Sequence, residues 1–273
     1  MSTLNRLAEA IRAIHMALEV AQVAGYEEGV TSTHLDLMWQ HLHRGQWEAA
    51  NAAYAIFVAG PQPPRHLNRP GAAERAYAWL QFYQDTLSGE ALDRALAVAE
   101  QAHSRPEVRR LHCLRGEWLL AQERLDEAAD AWYTAIAMTQ QSGAPVAGLQ
   151  AQLARVLAAA GQQAEARRLI EAALQQVPSS AEDHLHCNIA EAYMRLGDRQ
   201  QARRYALQAY RQAWADGPPH AWWWALQRTR AILAELGEPE PVLPPFDASQ
   251  VLSVPYEDEI RAFIEACRQR VPT

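Results

Sequence analysis

Two groups of soft ligand residues raise the question of a metal: His112-Cys113 and His184-Leu185-His186-Cys187. Zinc needs imidazole and thiolate ligands converging within about 2.0–2.3 Å of one ion. Neighbours on a helix point about 100° apart, so of these only His184 and Cys187, three residues apart, share a face. Cys113 and Cys187 occupy equivalent positions two helical hairpins apart, which at the usual spacing of packed helices separates them by about 20 Å. No metal site is expected, and His41 and His43, two apart, face differently. No Ser/His/Asp spacing suits a nucleophilic triad. A phosphate loop of the Walker type requires a lysine, and all 25 basic residues are arginine. The expectation is a chain with no catalytic residue and no cofactor, not an enzyme.

The arginine-only usage fits a GC-rich genome, which favours arginine codons. Avoidance of lysine modification is a second reading with no other support in the sequence. At 273 residues, 49% hydrophobic and with a net charge of −7, the chain can bury a sizeable core as one or two domains or as an elongated array. The negative charge disfavours a nucleic-acid partner, which calls for a concentrated positive field. No apolar run reaches the roughly 18 residues of a membrane span. The N-terminal stretch carries Glu9 and Arg12 where a signal peptide needs an uncharged core, so a cytoplasmic location is the default. Cys113, Cys187 and Cys267 are odd in number and widely spaced, unlike a disulfide framework.

The elements that position these residues repeat. Arg124-Leu125-Asp126-Glu127-Ala128-Ala129, Gly161-Gln162-Gln163-Ala164-Glu165-Ala166 and Gly197-Asp198-Arg199-Gln200-Gln201-Ala202 recur every 36 to 38 residues, and Gly45-Gln46-Trp47-Glu48-Ala49-Ala50 is an earlier copy. Each lies between apolar, alanine-rich helical stretches, and a fixed period of this size means stacked helix pairs. An extra helix is expected over 4–24. Hairpins follow at 31–58 (turning at Gly45), 73–104 (turning near Ser88-Gly89), 107–141, 145–177 and 181–215. Pro106, Pro145 and Pro178 fall near hairpin boundaries. A sixth first helix runs from about 220 to 236 without its partner. The proline-bearing stretch 61–71 is read as an irregular, mobile connection. The divisions are 1–30 (N-terminal helix), 31–237 (hairpin array), 238–255 (proline-rich extended segment) and 256–273 (capping helix). The last helix is expected to cover the open end, with Glu257, Asp258 and Glu259 favoured in its first turn by the helix dipole. No period-2 pattern suggests a strand, so the class is all-α.

These repeats resemble the tetratricopeptide repeat, a 34-residue helix-turn-helix unit. The 145–177 hairpin matches at Leu153, Ala154, Leu157, Ala166, Ile170 and Ala173, with Pro178 after it. Ile189, Ala190, Tyr193, Ala202, Ala206 and Ala209 match in the next, and Gly116, Leu119, Ala128, Trp132 and Ala135 in the one before. The 73–104 hairpin keeps Trp79, Phe82, Ala95, Ala99 and Ala102 but has Tyr83 at a usually small position. The first keeps Leu37, Ala50, Tyr54 and Phe57. The resemblance implies a right-handed superhelical solenoid whose first helices line a concave groove.

Projecting that register places Trp39, His43, Tyr77 and Gln84 in the groove from the first two hairpins. Arg110, Cys113, Glu117 and Arg155 follow from the next two. His184, Cys187, Glu191, Arg195, Trp224 and Gln227 complete it. Mixed charge with aromatics suits a peptide or partner helix, with Arg110, Arg155 and Arg195 pairing with acidic groups and Trp39, Tyr77 and Trp224 as anchors. The lysines and most of the asparagines by which the best-known members hold a terminal carboxylate are missing, so that specificity is not expected. Arg167, Arg168, Arg199, Arg203 and Arg204 fall on or beside second helices, which usually form the solvated convex face; the other reading is a basic stripe that meets an acidic partner. One or two of Trp222, Trp223 and Trp224 are expected to pack on the prolines of 238–245, the other reading being a patch for an outside partner.

The function expected is a non-catalytic protein–protein interaction scaffold. The alternative is a sensor module of bacterial signal transduction, binding a small ligand or acting in trans on an ATPase or transcription regulator. An enzyme would need clustered histidines, and the register scatters them.

Overall fold

The computed structural model describes residues 6–61, 71–176, 184–252 and 254–270. Among them thirteen α-helices and one short 3-10 turn form the regular structure, and no strand occurs. They are α1 (Leu7–Val23), α2 (Glu27–His43), α3 (Trp47–Ala59), α4 (Ala72–Tyr83), α5 (Gly89–Gln101), α6 (Arg105–Ala121) and α7 (Leu125–Gln140). Then come α8 (Ala147–Ala159), α9 (Gln163–Leu174), α10 (Leu185–Arg195), α11 (Arg199–Trp214), α12 (Trp223–Leu236) and α13 (Glu257–Arg270). The expected mobility of 61–71 and the role of Pro178 fall on residues largely outside those described.

The repeat seen in the sequence is, physically, a repeated helix stop. Where each first helix ends, a residue two or three positions beyond it turns its N–H back to the carbonyl five residues earlier: Gln46 to His41 (2.9 Å), Thr86 to Gln81 (2.8 Å), Arg124 to Leu119 (3.0 Å), Gln162 to Leu157 (2.9 Å), Asp198 to Tyr193 (3.0 Å) and Glu238 to Leu233 (2.9 Å). This Schellman closure needs a left-handed residue just before it. Gly45, Gly161, Gly197 and Gly237 supply it, while Asp85 and Glu123 adopt it at φ 57° and 59° without glycine's freedom. The following helix starts at once, capped in α11 by Asp198, whose side chain accepts from Gln201 N–H. In α5 the Ser88 hydroxyl accepts from Ala91 N–H.

Alanine and glycine sit where helices cross. At Gly116 a Cβ would lie 2.4 Å from Trp132 Nε1, so only glycine lets α6 close on the fully buried Trp132 of α7. Leu153, Leu157 and Ile170, all buried, fill the gaps between the crossings.

The first helices follow one another around an axis in the order α2, α4, α6, α8, α10, α12, and the last then meets the first two. Trp222 sets its ring edge-on to His43 at 5.1 Å, Trp223 to Trp47 at 5.2 Å, and Trp224 to Tyr83 at 4.7 Å. The Trp223 ring also covers Gly45, where a Cβ would meet it at 2.6 Å. On the outside, Leu7 and Ile11 of α1 join the core cluster that holds Ala213, Trp222 and Leu226, and Ala8 N–H donates to Asp216 at 2.9 Å. The solenoid therefore closes into a ring.

Closure corrects two expectations. The three tryptophans pack on the first two hairpins, not on the proline stretch; Trp214 takes that place, donating from Nε1 to Pro244 O at 2.8 Å. The last helix does cap the array, but its seat is α1, where Arg12 pairs with Glu257 and Glu19 with Arg268. Once α12 meets α2 and α4, its free face is no longer an open end. Residues 238–244 run along α11 instead, held by Arg203–Glu238 (2.6 Å) and Tyr210–Glu240 (2.8 Å).

Candidate functional site

The six first helices, with the end of α7 and the loop after it, line a cavity of about 850 Å³ that is open to solvent, within the size range of ligand pockets. Its lining divides by character. One side is aromatic, with Trp39 from α2, Trp79, Phe82 and Tyr83 from α4, and Trp224 from α12. The other is polar, with Arg105, Arg109 and Arg110 on the first turns of α6, Gln141 and Ser142 after α7, and Gln152 on α8.

Beneath the lining lies an ion network that spans four helices. Arg155 of α8, 4% exposed, donates to Glu117 of α6 at 2.5 Å and to Glu191 of α10 at 3.0 Å. Arg228 of α12 donates to the other Glu191 oxygen at 2.6 Å and to Asn188 Oδ1 at 2.8 Å. Burial alone would raise the Glu191 carboxyl, but Arg228 and Arg155 outweigh it and hold the group at about 2. A second cluster centres on Glu107, 1% exposed, which accepts from Arg75 at 2.5 Å and Arg110 at 2.6 Å. Arg75 also lies over the Trp39 ring, 4.4 Å from its centroid.

Two guanidinium groups stand apart from these clusters. Arg105 donates to the neutral Gln141, and Arg109 forms no ion pair or hydrogen bond among the described residues. Around the cavity, the six arginines at 75, 105, 109, 110, 155 and 228 face three glutamates, 107, 117 and 191, so positive charge is in excess there although the whole chain is acidic. His184 adds nothing to that excess at neutral pH. Burial, then Arg228 and His43, depress it to about 3.

Seven of the fourteen residues projected from the register line the cavity: Trp39, His43, Arg110, Cys113, Glu117, His184 and Trp224. Arg155 and Glu191 lie in the network below, and Arg155 is already committed to two carboxylates, so it is not available to an acidic partner in the way its register position suggests. Cys187 is in the core, 1% exposed, its thiol pushed up by burial and in contact with Thr229 Oγ1 at 3.7 Å. Tyr77 stands outside and stacks on Tyr54 at 4.8 Å. Gln84 follows α4 and Arg195 ends α10, both exposed and outside the lining. Gln227 is one residue, about 100°, off the face on which Arg228 lines the cavity. The register missed Trp79, Tyr83, Arg105, Arg109 and Arg228. The signal for Tyr83 was present: a ring at a position that is usually small marks extra room, and Trp224 fills part of it. Among the described residues no three or more His, Cys, Asp or Glu side chains are grouped to hold a metal ion, and no helix is long and apolar enough to cross a membrane.

Residues 147–186 match the tetratricopeptide repeat family. Two solved structures are similar to the chain. One is a putative kinesin light chain of nearly identical tetratricopeptide-like repeats from Podosopora anserina, with 18% identity over 75% of this chain and 95% of that one, at a TM-score of 0.45. The other is PilF of Pseudomonas aeruginosa, with 17% identity over 83% of this chain and 98% of that one, also at 0.45. No curated protein matches the chain.

Proposed function

We propose that this tetratricopeptide-repeat solenoid is a non-catalytic interaction scaffold that receives a short segment of a partner protein in its central cavity. Repeats of this kind are generally interaction scaffolds, and the division of the chain follows that use. The array 31–237 forms the site, and the elements 1–30, 238–255 and 256–273 support its closure. The observation that carries the reading is the pairing of an aromatic wall with the uncommitted Arg105 and Arg109 inside one preformed cavity. Such a site suits a segment with acidic groups, since arginine binds carboxylates in charge-assisted pairs and a preformed wall costs little entropy to present. A cytoplasmic protein partner fits better than nucleic acid or membrane, because the positive charge is gathered in a concave cavity and not spread over a flat exposed face.

Affinity capture from the host lysate, read by mass spectrometry, tests this against an Arg105→Glu/Arg109→Glu control. A protein held by the wild type and lost with the control is the expected result. Capture unchanged by the double substitution counts against the cavity as the site. A second reading, a sensor of a small ligand, is favoured by the size of the cavity, which lies in the range of small-ligand pockets. Native mass spectrometry of the protein purified from its host separates the two: a stoichiometric non-peptide mass supports the sensor.

A further inference from the structure

The cavity wall changes owner at the closure. Trp79 and Tyr83 come from the second hairpin and Trp224 from the last first-helix, with the Tyr83 and Trp224 rings 4.7 Å apart. All three are only partly buried, so ring surface faces the cavity. A flat apolar group seated there touches both sides of the seam, and it would lose the Trp224 side if the ring opened. A ligand that binds the closed state better shifts the population toward it by that difference in affinity. Its anionic part falls to the α6 side, where Arg109 has no partner among the described residues and Arg105 has only Gln141.

We propose that the cavity takes a ligand segment carrying a planar apolar group close to an anionic one. The planar group bridges Tyr83 and Trp224, so that occupancy holds the ring shut. This rests on the cavity being the partner site and adds what the occupant looks like and what it does to the protein. Loss of the ligand loosens both lips together.

The test uses a display library of random heptapeptides selected on the full chain, with a selected sequence then synthesised and titrated. The expected peptide pairs an aromatic residue with Asp or Glu and slows amide exchange in both α4 and α12 at saturation. Trp224→Ala weakens its binding at least tenfold and removes the slowing, while Trp224→Phe stays within about threefold. Trp79→Ala, on the opposite lip, weakens binding without touching the Trp222–His43 and Trp223–Trp47 contacts; melting and far-UV circular dichroism identify any variant that fails to fold. Peptides lacking an aromatic or acidic residue, unchanged affinity in folded Trp224→Ala and Trp79→Ala, or α12 exchange indifferent to peptide would overturn the inference and leave the partner reading in place. Failure to select any peptide, or selected peptides indifferent to Arg105→Gln/Arg109→Gln that protect no cavity helix, would overturn both.

Discussion

Arg155 and Arg109 sit on first helices of the same ring and have opposite fates. Arg155 is buried and divided between Glu117 and Glu191, tying α6, α8 and α10 together. Arg109 lines the cavity with no ion pair among the described residues. The same side chain is scaffold in one case and contact surface in the other, and what separates them is whether carboxylates on neighbouring helices have already claimed the guanidinium. Arginine serves both roles because it stays charged when buried and presents a planar fork of donors.

The largest expected effect comes from breaking the committed side. Arg155→Ala leaves two carboxylates facing each other and lowers stability by about 3 kcal/mol, the low end for a broken buried pair because both glutamates keep some solvent contact. Urea unfolding checks it, and a loss under 1 kcal/mol would mean the network is ornamental. Acid sharpens the contrast next. Glu191 is depressed to about 2, so its contribution is complete above the unfolded carboxyl value near 4.3 and is lost as pH falls toward 2. His184 is depressed to about 3 from an unfolded value near 6.5. The unfolded chain therefore takes up that proton first, and stability starts to fall below about pH 6.5. His184→Asn removes the titrating group while tolerating the left-handed φ of 43° at that position. It should shrink the loss between about pH 6.5 and 4.3 without abolishing it, because burial also depresses His34, His41, His112 and His220, as read by unfolding free energy against pH.

Smaller still is a backbone effect that touches neither arginine. Glu123→Gly relieves a left-handed residue in the α6–α7 turn and should raise stability by roughly 1 kcal/mol, measured as a higher urea midpoint. The smallest effect belongs to the uncommitted side. Arg105→Gln/Arg109→Gln should change stability by no more than about 0.5 kcal/mol, as for surface substitutions generally. A double variant that unfolds the protein would erase the distinction between the two classes of arginine.

The hairpins were legible because helix stops are local. Gly45, Gly161 and Gly197 announce a left-handed turn to anyone reading the chain, and alanine periodicity supplies the helices between. Asp85 and Glu123 do the same work without announcing it, and there the period alone locates the turn. The register also places Trp39, Arg110, Glu117 and Trp224 on the inner face, since that too depends only on helical geometry. What stayed hidden depends on distant partners. Nothing near Arg155 says that Glu117 and Glu191, on two other hairpins, will neutralise it. Nothing near Trp223 says that Gly45, at the other end of the array, leaves a bare backbone for its ring. Closure is the sum of small rotations over six units, and no single segment encodes it.

Closure also changes how such a protein can vary. In an open solenoid the number of repeats is a free length, and a hairpin gained or lost makes the molecule longer or shorter. Here the Trp223 ring must arrive over Gly45 and the Trp222 ring against His43. One hairpin more or fewer would miss that meeting and empty the cavity into solvent. Repeat number becomes a whole-number constraint, as strand number is in a barrel, and relatives that keep this site must keep the count even where nearly every residue differs.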